Sequence, residues 1–128
     1  MALRSAMGGW TFLFCGWIGL AAGSALPPVD FNRDIHPILS DRCYACHGPD
    51  ENKRKGGLRL DRQADAFKEL KSGKHALVAG DLGRSTLVER ILTADAEEVM
   101  PPPKTGKPLT KAQVELLQRW VQEGAKWK

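Results

Sequence analysis

Residues 43–47 read Cys43-Tyr44-Ala45-Cys46-His47, and no other stretch of this chain constrains its chemistry as tightly. The spacing puts two thiols about one helical turn apart, and a histidine follows at once. Four readings compete for it. A structural or redox disulfide explains both cysteines but leaves His47 without a role. A zinc site calls for four ligands, yet His36 and His75 stand alone, with no second Cys/His pair at suitable spacing. A thioredoxin-like oxidoreductase surrounds its cysteine pair with alternating strands and helices, which the flanking sequence lacks. The fourth reading is the attachment motif of c-type haem, and it uses all three residues. Each thiol adds to one vinyl group, and His47 then reaches the iron from the side so fixed. One covalently attached haem c, held by Cys43 and Cys46 with His47 as an iron ligand, is the expected cofactor.

His47 fills one axial position, so a second ligand has to come from elsewhere or the site stays open. The methionines are Met1, Met7 and Met100, and the first two lie in the N-terminal segment read below as an export signal. Met100 opens the run Met100-Pro101-Pro102-Pro103. Prolines hold a loop to few conformers, which suits a thioether that must reach one point. A gap-filling core methionine is the plain alternative. His/Met is a recognised haem pairing, so Met100 is the expected second iron ligand. His36, expected on the first helix, and His75, expected in a loop, are weaker rivals.

The N-terminus is read separately from the fold. Arg4 is followed by the uncharged run Trp10 to Ala22 (WTFLFCGWIGLAA), then Gly23-Ser24-Ala25 and Pro27-Pro28. A basic start, a short apolar stretch and small residues describe an export signal. The run is short of the ~20 residues of a membrane span, although Ala6 to Leu26 just reaches that length. The expectation is residues 1–25 as an export signal cleaved near Ala25, with a retained anchor as the alternative, and a haem domain over residues 26–128. Cys15 is preceded by bulky Phe14, which argues against lipid attachment. Export fits the haem reading, because covalent attachment is completed outside the cytoplasm in most settings. The expected location is periplasmic, either soluble or anchored through the N-terminal segment.

The remainder reads as four helical segments with no convincing strand pair and no internal repeat. The first spans about 31–42, with Asp30 as N-cap and Phe31, Ile35, Ile38 and Leu39 on one face. Pro37 should kink or tighten it. Residues 48–57 (GPDENKRKGG) form a polar loop, and 58–61 are too few for a strand. Helices are expected over 62–71 and 84–93, the latter burying Leu87, Val88, Ile91 and Leu92. Met100 to Pro103 cannot be helical. The last helix opens on a Thr110/Gln113 capping box, buries Val114, Leu117 and Val121, and stops at Gly124. Leu116 and Trp120 widen its apolar face, and Glu115 should pair with Arg119 outside.

The 128 residues suffice for one domain. They include 42% hydrophobic and 27% charged residues, which argues against disorder, and three cysteines are too few to staple a miniprotein. The formal charge of +4 comes without a basic run interleaved with aromatics, so no nucleic-acid partner is expected. A chain this size gains from a cofactor at its centre. Leu58, Leu60, Leu87, Ile91 and Leu117 are candidates for an apolar haem lining, and Arg59 for a haem propionate. Lys53-Arg54-Lys55 is either a solvated loop or a patch steering an acidic redox partner.

Together these residues resemble the planctomycete-type cytochrome c domain, a branch of the class I cytochrome c fold. The pieces are Asp30 to Ile35 with Pro37-Ile38-Leu39, Cys43 to Asp50, Gly57 to Asp61, and Gly80-Asp81 with Ser85 and Leu87. Met100 to Pro103 and Leu109-Thr110 through Trp120 to Gly124-Ala125-Lys126-Trp127 complete the set. The resemblance implies an all-α cytochrome c-like fold of roughly four helices around the haem, with electron transfer as the activity. It implies His47 as proximal and Met100 as distal ligand. In that family the domain usually opens a longer protein, so this chain is expected as a free-standing carrier or as a piece of one. A non-enzymatic carrier working with redox partner proteins is the expected function. The alternatives are a haem-bearing sensor, an anchored subunit of a larger complex, or a small haem enzyme if Met100 does not bind iron.

Overall fold

The computed structural model describes Gly23 and residues 25–128. The expected signal segment, Cys15, Met1 and Met7 lie outside the described residues. Among the described residues the fold is helical, with no named strand and two isolated bridges, Glu69 to His75 and His75 to Ser85.

The first helical element starts where the sequence places it and changes pitch within itself. The Asp30 side chain accepts from the Arg33 N–H, capping a π-helical turn over Phe31–Ile35, which passes into α1, His36–Arg42. Pro37, expected to kink or tighten the helix, sits in the first turn of α1, where its missing N–H is tolerated. The distortion is a widening just before it, with the His36 N–H reaching back to the Phe31 carbonyl. A single turn, α2 (Tyr44–His47), follows directly.

Helix α3 is shorter than expected, Gln63–Ala66 rather than 62–71. The next residues are claimed by a tight reversal. Leu70 N–H donates to the Lys74 carbonyl (2.8 Å), Gly73 N–H to Leu70 (2.9 Å), and Glu69 bridges to His75. Helix α4, Thr86–Leu92, buries Leu87 and Val88. Leu92, expected on the buried face, is 53% exposed at its end. Buried Ser85, one of the residues that carry the resemblance, precedes α4. Its hydroxyl donates to the Asp81 carbonyl (2.7 Å) and accepts from the Val78 N–H (2.9 Å). Pro103, read as non-helical, opens a short 3₁₀ turn, Pro103–Thr105, since proline is well suited to a first helical position.

Helix α5, Lys111–Gln122, has the Thr110/Gln113 capping box with both bonds present. It buries Leu117, Trp120 and Val121, while Val114 and Leu116 are half-buried. The expected Glu115–Arg119 pair is not made. Glu115 faces Lys111 (3.7 Å), whereas Arg119 bonds Glu123 (3.0 Å) and the Pro27 carbonyl (2.7 Å). Glu123 in turn accepts the Val29 N–H (2.7 Å), so Arg119 and Glu123 tie the entering chain to α5. Gly124, with φ of 103°, ends the helix, and Ala125 N–H bonds the Trp120 carbonyl (2.8 Å). This reversal lays Trp127 on Phe31, with ring centroids 4.3 Å apart. The π-helical turn and α4 both pack on α5. Ile35, Leu39, Leu77, Leu117, Trp120 and Val121 form the least accessible part of the core. Each large apolar side chain buried this way contributes about 1.5–3 kcal/mol.

Candidate functional site

The end of α1 delivers the motif as helical backbone. Cys43 N–H donates to the Leu39 carbonyl (2.9 Å). The Cys43 carbonyl accepts from Cys46 (3.2 Å) and His47 (2.9 Å). Cys43, Cys46 and His47 therefore share one turn, as their spacing implies. Both thiols are unpaired and half-buried. Burial first, and then the neighbouring Cys46, pushes the Cys43 thiol up to about 12, so it stays protonated at neutral pH.

Gly48 is required where this turn ends. A Cβ there would stand 2.3 Å from the Tyr44 carbonyl oxygen, a backbone atom that can shift only at a cost. The chain then loops out and returns onto the motif. Lys55 N–H donates to the Cys46 carbonyl (2.8 Å) and Leu60 N–H to the His47 carbonyl (2.7 Å). Arg54 closes the loop from its side chain, donating to the carbonyls of Gly48 (3.2 Å) and Pro49 (3.1 Å). The basic triplet 53–55 is thus partly structural, with Lys53 near Asp50 (3.7 Å).

His47 is half-buried, and burial holds its imidazole below the ordinary value against the nearby carbonyls of Lys55 and Leu58. Its Nδ1 is fully buried with no hydrogen-bond partner in acceptable geometry. Such an orphan costs about 1–3 kcal/mol. A neutral imidazole with an unsatisfied nitrogen, one residue from a pair of unpaired thiols, fits covalent attachment and ligation of haem c.

The other candidates lie on different elements. Met100 is half-buried, and its N–H donates to the Arg90 carbonyl (2.9 Å) near the end of α4. The loop before it is closed by Val99 N–H to Asp95 (2.9 Å) and by Arg90, which bonds the Glu98 carbonyl (3.2 Å) and carboxylate. The packed order runs from α2 through α1 and the π-helical turn to α5 and then α4. Met100 and His47 therefore hang from two walls joined through α5. Arg59 is half-buried and doubly bonded to Asp61, Nε to Oδ1 at 3.0 Å and Nη2 to Oδ2 at 2.5 Å. The guanidinium holds the Asp61 carboxyl below its usual range. Of the lining candidates, Leu60, Leu87 and Leu117 are buried, and Leu58 and Ile91 pack half-buried against the same core. His36 is exposed, its ring 5.9 Å from Tyr44 and 6.0 Å from Phe31. The His75 carbonyl accepts the Thr86 N–H (3.0 Å) and hydroxyl (2.9 Å).

A family model described as Planctomycete cytochrome C matches residues 43–104, from the first cysteine of the motif to just past the Met100 loop. Residues 43–104 thus resemble a planctomycete cytochrome c domain. The matched span includes Cys43, Cys46, His47, Arg59 and Met100, while α1 and α5 lie outside it. No curated protein and no solved structure matches the chain. That match associates residues 43–104 with haem c and with haem-based electron transfer. No helix among the described residues is long and apolar enough to cross a membrane.

Proposed function

We propose that this protein is a one-electron carrier working outside the cytoplasm, with haem attached through Cys43 and Cys46 and ligated by His47 and Met100. The observation that carries the reading is the buried, unpartnered Nδ1 of the half-buried His47 beside two unpaired thiols on one turn. A bound haem supplies a one-electron centre at iron. The chain's part is to hold two ligands and keep water away. His47 is held neutral by burial, which leaves a nitrogen lone pair for a metal. The amides of Lys55 and Leu60 fix the carbonyls of Cys46 and His47, so the ligand's backbone is restrained from both sides. Leu60 and Leu117 in the core, with Leu58 and Ile91 packed half-buried against that core, would supply apolar surface that excludes water. A thioether paired with an imidazole favours ferrous iron and raises the potential. The run Lys53-Arg54-Lys55 would steer an acidic redox partner.

Absorption spectra of the exported protein, oxidised and reduced, test this against Met100→Ala. Low-spin c-type bands with a sulfur-to-iron band that vanishes in the variant are expected. A haem spectrum unchanged by the substitution would move the distal ligand elsewhere. No haem in a host that matures c-type cytochromes would overturn the whole reading.

A further inference from the structure

We propose that the cleft between residues 54–59 and the turn at 65–71 binds a small multivalent oxyanion, of phosphate or polycarboxylate type. Its volume is about 360 Å³, within the range of small-ligand sites. Arg54, Arg59, Lys68 and Lys71 line it, opposed by Asp65 and Glu69. The acids do not balance the bases. Asp65 is engaged by Arg62 at 3.3 Å, so Glu69 is the lining acid with no ion pair among the described residues.

The cations are of two kinds, and both suit an oxyanion. Arg54 and Arg59 are held in place, the first by the carbonyls of Gly48 and Pro49, the second by Asp61. Arg54 keeps Nη1 for a ligand. Lys68 and Lys71 are mostly exposed and make no ion pair among the described residues, unlike Lys53, Lys74, Lys107 and Lys111. Between them the chain contributes Gly56 and Gly57, where an added Cβ would meet nothing within 4 Å. Neither glycine amide donates to an acceptor among the described residues. Arg54 Nη1, the ammonium groups of Lys68 and Lys71 and the unbonded glycine amides outnumber Glu69, the one unpaired acid of the lining, and a multivalent oxyanion supplies several acceptors at once. Gathering like charges also costs Coulomb energy that such an anion offsets. The concave shape favours a compact ion over the flat face of an acidic protein.

Calorimetric titration of the haem-loaded full chain tests this with pyrophosphate and citrate, at constant ionic strength, with chloride as the control. One saturable site is expected for at least one of the two, and which one binds separates a phosphate from a carboxylate ligand. Lys68→Ala/Lys71→Ala should weaken it by about tenfold or more, while Lys104→Ala/Lys126→Ala, with the same loss of charge outside the cleft, should leave it within about twofold. Absence of saturation with both anions, or equal weakening in both double variants, would overturn the proposal, because only net charge would then be at work.

Discussion

The main-chain N–H of Met100 donates to the carbonyl of Arg90 at 2.9 Å, and the Arg90 side chain clamps Glu98 in the same loop. The residue proposed to bind iron is thus held to α4 through both the backbone and the side chain of one arginine. That ion pair is half exposed, so its share of global stability is small, about 0–1 kcal/mol. Its effect on the loop is local. Arg90→Gln should lower the urea concentration at which the sulfur-to-iron band is lost, while the far-ultraviolet dichroism midpoint moves little. Coincident midpoints, unchanged from the parent, would show that Arg90 does not position Met100.

Covalent retention of haem should depend on the two thiols jointly. Cys43→Ala or Cys46→Ala alone should weaken retention through acid–organic extraction, and the double variant should abolish it. Haem that stays with the double variant after extraction would remove the attachment claim.

Gly48 has a steric reason that depends on nothing bound. Gly48→Ala places a methyl 2.3 Å from the Tyr44 carbonyl, and relief requires the turn bearing His47 to open. A loss of about 1–3 kcal/mol is expected, read as a lower denaturant midpoint at unchanged slope. A midpoint equal to that of the parent would mean the turn gives way freely.

Trp127 lies on Phe31 at 4.3 Å and edge-on to Trp120 at 5.9 Å. It is half-buried, so Trp127→Ala should cost somewhat less than a fully buried aromatic, about 2–3 kcal/mol. Thermal unfolding would register this as a drop of roughly 8–20 °C for a domain of this size. A shift of only a degree or two would mean that the C-terminal reversal contributes little.

Acid should destabilise the fold through its paired carboxylates. Asp61 is lowered by Arg59, Asp34 by Arg33, Asp81 by Arg84, and Glu123 by the Val29 amide and Arg119. A carboxyl whose folded value lies below its unfolded one contributes stability above the unfolded value. That contribution is lost as pH falls through the folded value. Stability should therefore hold down to about pH 4–5 and decline below it. Asp61→Asn should flatten the decline, measured as urea midpoint against pH. A steeper decline in this variant would show the sign to be wrong.

The local features were legible in the sequence. The Asp30 cap, the Thr110/Gln113 capping box, the stop at Gly124 and the one-turn spacing of Cys43, Cys46 and His47 each depend on residues within a few positions. Where several partners were in reach, the sequence could not choose. Arg59 was read as a candidate for a haem propionate, whereas in the fold its guanidinium bonds Asp61, two residues on. Arg119 and Glu115 stood at helical spacing and still went to Glu123 and Lys111.

What the sequence determined by itself was local: the one-turn spacing of Cys43, Cys46 and His47, the helical class and the best-marked helix. These follow from short-range stereochemistry, which a residue carries with it wherever the chain goes. The tertiary structure decided what depends on distant partners. Past Ala66 the amides of Phe67 and Lys68 still reach back to Gln63 and Asp65, but the Leu70 amide turns to the Lys74 carbonyl and the helix does not continue, and Leu92 is exposed because α4 ends there. The orphaned Nδ1 of His47 and the basic cleft arise from segments brought together by folding. Burial and hydrogen-bond satisfaction are properties of the packed chain, and no window of sequence contains them.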